Sequence, residues 1–126
     1  MSIRYLKVAG VGLAGLTAAM HIFVGSVDTL FPLLEGDLDM VIKSTFHACW
    51  HFISVFLAFS VWSFASETES AKMIARLWIA FAACFFTVGL YSAGLRGLII
   101  VPQWTLLWAA GVLVLLHFRQ IESKTA

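Results

Sequence analysis

The chain has 126 residues, of which 61% are hydrophobic, 12% charged and two are proline, a balance that soluble domains of this length do not carry. Eight Lys and Arg against seven Asp and Glu leave a net charge of +1, which excludes a broad basic face for nucleic acid. Glycine-rich phosphate loops, GxSxG, HExxH and CxxC are absent, so the residues name no catalytic set and do not decide whether the protein is an enzyme.

Between charged residues the chain divides into four uncharged runs, 8–27, 44–66, 77–95 and 97–118, of 20, 23, 19 and 22 residues. Each is long enough to cross about 30 Å of hydrocarbon as a helix rising ~1.5 Å per residue, and none shows the alternating polarity of a barrel strand. The predicted fold is an all-α integral membrane protein: one domain over 1–126, with four transmembrane helices in an up-down bundle. Membrane lipids are then partners by default.

Run 1 follows Arg4 and Lys7 and is read as a span, since it is longer than a signal-peptide core and lacks an A-x-A cleavage site. Its small and polar positions Gly10, Ala14, Thr17, Ala18, His21 and Gly25 recur every three or four residues and predict an inward stripe. The connection 28–43 is unusually apolar. Leu30, Phe31, Leu33 and Leu34 are expected at the interface, Pro32 and Gly36 at turns, and Asp37 as the cap of the next helix. The segment reads as an outer loop and a candidate lid, with Asp28 and Glu35 as spare carboxylate ligands.

Run 2 opens with His47-Ala48-Cys49-Trp50-His51, and His47, His51, Ser54 and Ala58 predict its inward stripe. Run 3 offers Ala80, Cys84, Thr87, Tyr91 and Gly94, while run 4 carries Gln103 and Thr105 in its outer half. Trp50 and Trp104 are expected at the outer interface, Trp62 and Trp78 at the inner one, and Trp108 near mid-membrane. Tyr91, Gln103 and Trp104 suggest a quinone or lipid-headgroup pocket. His117 is expected at the cytoplasmic interface. Cys49 and Cys84 fall at depths about 10 Å apart, too far for a disulfide.

Threading the runs back and forth puts Arg4, Lys7, Lys72, Arg76, Arg119 and Lys124 on one side and Lys43 and Arg96 on the other. The positive-inside rule then predicts both termini in the cytoplasm, and the plan suits a bacterial inner membrane.

The histidines carry the most specific chemistry. His47 and His51 lie one helical turn apart, while His21 and His51 fall about 9 and 10 Å below the outer ends of their runs. Three imidazoles converging there would suit copper or zinc, with a fourth ligand from water, Cys49 or the outer loop. A b-type haem between His21 and His51, its propionates paired with Arg96 and Lys43, is the other cofactor arrangement, and the role read from either is a redox or metal-binding one. Two further readings compete: a structural or assembly subunit held to a membrane-protein partner or to copies of itself, and a lipid-binding, quinone-binding or transport module. The last is disfavoured because no run contains a carboxylate.

Overall fold

A computed structural model describes residues 3–125, and these are helical almost throughout. The elements are α1 (Ile3–Ala19), α2 (Phe31–Glu35), α3 (Met40–Ala65), α4 (Ala71–Ile100) and α5 (Gln103–Thr125). Two π-helical segments, Met20–Val24 and Ser26–Leu30, join α1 to α2 into one helical path from Ile3 to Glu35. Four helical stretches in all are long and apolar enough to cross a membrane.

The expected outer loop 28–43 is therefore largely helix. Pro32 lies in the first turn of α2, at the junction with the second π segment, and only Gly36 with its extended backbone stops the path. The next helix starts at Met40. Its cap is Asp39 rather than Asp37: the Asp39 side chain accepts from the Val41 N–H at 2.8 Å.

The boundary between runs 3 and 4 also moves. Within α4 the helix breaks at Ala93 and Gly94, where Gly94 takes φ +60°, and a short stub reaches Ile100 before α5 begins at Gln103. Beyond the break the stub brings the Gly97 backbone against that of Gly89, so closely that a side chain on Gly97 would overlap the Gly89 carbonyl. The Trp104 indole N–H then donates to the Leu98 carbonyl at 3.1 Å.

Helix α1 packs between α3 and α5, and α5 between α1 and α4. Helices α3 and α4 meet through edge-to-face aromatic pairs, Phe56 with Phe81 and Phe64 with Trp78. The stripe expected on α1 is inward for Gly10, Ala14, Thr17 and Ala18, all buried. Those of runs 2 and 3 are rotated. On α3 the buried positions are Leu57, Ser60, Ser63 and Phe64, whereas His47, His51 and Ala58 are exposed. On α4 the core takes Ala71, Ile74, Ala75, Trp78 and Ala82, while Ala80, Cys84, Thr87, Tyr91 and Gly94 face outward.

The physical reason lies in the hydroxyls. Thr17 donates to Leu13 O, Ser54 to Trp50 O and Ser60 to Phe56 O, each four residues back at 2.7–2.9 Å. A hydroxyl satisfied on its own helix needs no partner helix, so it gives no reliable bearing toward the interior. Burial instead follows close packing of small residues around a few large ones: Gly10, Ala14, Ala18, Ala71, Ala75 and Ala82 are buried beside Phe64 and Trp78, while most large apolar side chains face outward. Trp78, expected at an interface, is fully buried against Phe64, and Trp108, expected near mid-membrane, is 54% exposed.

One end of the bundle is stitched by charge. Lys7 pairs with Glu67, Lys72 with Glu122, and the Lys72 ammonium stands over the Phe118 ring at 5.8 Å. His117 belongs to this end too, though it is buried rather than spread along an interface. Its Nδ1 meets Ile3 O at 3.1 Å, and its Nε2 faces Glu67 at 3.4 Å. The start of α1, the α3–α4 connection and the last turns of α5 thus meet in one place. Glu67 reaches it from a left-handed backbone, φ 51°, above a hydroxyl chain of Ser63, Thr68 and Ser70.

Candidate functional site

The histidine half of the molecule is assembled from the π-helical stretch after α1 and the first four turns of α3. His21 lies in the first π segment, a bonding pattern that is rare and recurs at functional positions. The indole of Trp50 lies over it: the two rings stack at 4.1 Å between centroids with 19° between planes. Gly25 makes room for that indole, since a Cβ there would stand 3.0 Å from two of its ring carbons. His21 Nε2 is 3.3 Å from the Trp50 carbonyl, which also accepts from Ser54. A proton on Nε2 makes that contact a hydrogen bond and leaves Nδ1 as the free lone pair.

On α3, His47 and His51 are both exposed and their rings meet at 4.8 Å between centroids, tilted by 40°. Two imidazoles on successive turns can direct one nitrogen each at a single ion. Cys49 falls between them in sequence, but two residues turn a helix by about 200°, so its thiol projects from the opposite side. Cys49 and Cys84 are free thiols, as their depths predicted.

Two of the three predicted ligands thus stand together, and the third is engaged by Trp50. Among the described residues no three or more His, Cys, Asp or Glu side chains are grouped to hold a metal ion. The convergence expected of His21, His47 and His51 is not complete within one chain, because the pairing on α3 leaves both rings on its outer side. Arg96, expected near haem propionates, is exposed on the stub beyond Gly94.

A groove of about 450 Å³ between α4 and α5 is lined by Ile79, Ala82, Ala83, Phe86, Trp104 and Trp108. Of the residues expected to make a quinone pocket, Trp104 lines it; Tyr91 is 92% exposed and Gln103 is exposed too. Sequence reasoning missed Trp50 as the partner of His21. Its position directly before His51 was visible, but only the Gly25 gap shows which way the indole turns. Comparison with known proteins finds no matching family, no similar curated protein and no matching solved structure.

Proposed function

We propose that this small membrane protein holds a transition metal, copper or zinc, at the histidines His21, His47 and His51 of its open half, in a redox or metal-handling role. The observation that carries the reading is the His47–His51 pair, exposed on adjacent turns of an apolar span. Imidazoles facing hydrocarbon are expensive, and a bound cation gives their lone pairs a partner. A b-type haem between His21 and His51 with Arg96 at a propionate is the other cofactor form. The geometry favours the metal, since His47 and His51 meet each other and His21 meets Trp50. Orientation with both termini in the cytoplasm of a bacterial inner membrane, and the up-down course of the chain, belong to the same proposal. They are supported by the six basic residues assigned to one side and by the meeting of both chain ends with Glu67.

Purification in mild detergent without a metal-affinity step, followed by elemental analysis and a visible spectrum beside His51→Ala, tests this. Near-stoichiometric metal that disappears in the variant is the expected result. A Soret band would replace metal by haem, and colourless, metal-free protein in both samples would remove the cofactor reading.

A second reading has its own observation: between 22% and 28% of the most apolar window of each candidate span is buried inside the chain, leaving long apolar faces open. On this reading the protein is a structural or assembly subunit, and a membrane-protein partner co-purifies in defined ratio.

A further inference from the structure

The His47–His51 pair offers two imidazole nitrogens on one exposed face of α3, half of what a tetrahedral ion needs. A tetrahedral zinc-type ion takes four ligands with Zn–N of about 2.0–2.1 Å, so neighbouring nitrogens stand about 3.3 Å apart, a separation within reach of two rings one turn apart. The chain supplies two nitrogens there and, among the described residues, no third ligand groups with them. His21 is held behind Trp50 by a stacked ring and a carbonyl.

We infer that the remaining two ligands come from the same pair on a second copy of this chain, so that one ion joins two α3 helices across a two-fold axis. This rests on the metal reading above and replaces its third ligand. Two-fold symmetry duplicates every group on the face, which turns two imidazoles into four without any further residue type. The face suits such an approach. Ser44, Ala48, His51, Val55 and Ala58 recur at alternating spacings of four and three residues, and all are exposed. Four of them are small or short, allowing two helix backbones to come close in a bilayer. No charged residue lies anywhere in 44–66, so the face meets its own copy without repulsion.

Cobalt(II) is a spectroscopic stand-in, since tetrahedral nitrogen coordination gives intense visible ligand-field bands, far stronger and at longer wavelength than the weak ones of octahedral aqueous cobalt. The metal-free protein in detergent is titrated with cobalt while light scattering reports its mass. The expected result is saturation at one cobalt per two chains, with doubling of the protein mass. His47→Ala and His51→Ala each weaken binding by at least tenfold, whereas His21→Ala binds as the wild type does. Far-ultraviolet circular dichroism of each variant, with His51→Gln as a closer replacement, checks that helicity is retained. One cobalt per monomer, lost in His21→Ala, would overturn the shared site while leaving the metal reading intact. No tetrahedral spectrum in the wild type would overturn both, and dimers that persist unchanged in His51→Ala without metal would overturn the joining role of the ion.

Discussion

The two ends of this molecule are built on different physics. At the charged end, Phe64, Ile74 and Trp78 belong to one buried cluster, the Ser60 hydroxyl bonds to its own helix, and the pairs Lys7–Glu67 and Lys72–Glu122 lace chain segments far apart in sequence. At the histidine end, α3 exposes nearly every side chain from Met40 to Val55, and the contacts are few: Trp50 on His21, His47 on His51, Gly97 on Gly89. One end gains its stability from itself, and the other leaves its polar chemistry facing outward. The difference teaches that the packed core and the exposed imidazole pair occupy opposite ends of the same helices.

The sharpest way to break the contrast is Trp78→Ala. Removing a fully buried indole is expected to cost roughly 3–5 kcal/mol, read as a large fall in unfolding temperature in detergent. Trp108→Ala in the same assay shifts it little, because that ring is 54% exposed. A middle-sized effect is expected at Glu67. The Lys7 ammonium bonded to it holds its carboxyl below the usual carboxylate range, with the nearby His117 adding in the same direction. A depressed folded-state value contributes stability above the ordinary carboxylate pKa, and that contribution disappears as pH falls through the folded value. Glu67→Gln should therefore flatten the acid limb of a stability-versus-pH curve. With the side chain 35% exposed, the loss at neutral pH is expected at about 0.2–1 kcal/mol. The smallest effect is that of His51→Ala on the metal-free protein, within about 0.5 kcal/mol, since an exposed ring leaves no cavity. A fall as large as that of Trp78→Ala would show the histidine end to be a second core.

Much of the fold was legible because hydrocarbon thickness sets a length that charged residues bracket. The candidate spans follow from Asp28, Glu67, Arg96 and Arg119 to within a few turns. Rotation was legible for α1, whose stripe Gly10, Ala14, Thr17 and Ala18 is buried, but not for α3 or α4. Ser54 and Thr17 look alike as polar marks, yet both bond four residues back, and only α1 turns its mark fully inward. His117 resembled an interfacial residue by depth; the carbonyl of Ile3, 114 positions away, is what draws it into the interior. At the site, the adjacency of His47 and His51 was plain from their spacing, because a helix enforces it. The capture of His21 by Trp50 depends on a π-helical turn and a glycine gap, and neither leaves a pattern that residue spacing reveals.

The path from Ile3 to Glu35 has 33 residues, about 50 Å of helix, beside a hydrocarbon layer of about 30 Å. Tilting alone would need an angle of about 53° to absorb the excess, beyond the 0–40° range of spanning helices, so where this path crosses a bilayer part of it extends past the hydrocarbon. Helix α3, with 26 residues or about 39 Å, exceeds the layer by less. His47 lies about 10 Å and His51 about 16 Å along it from Met40. Bilayer thickness therefore sets their immersion: a thin bilayer lifts both imidazoles toward the headgroups, and a thick one draws them into the acyl chains.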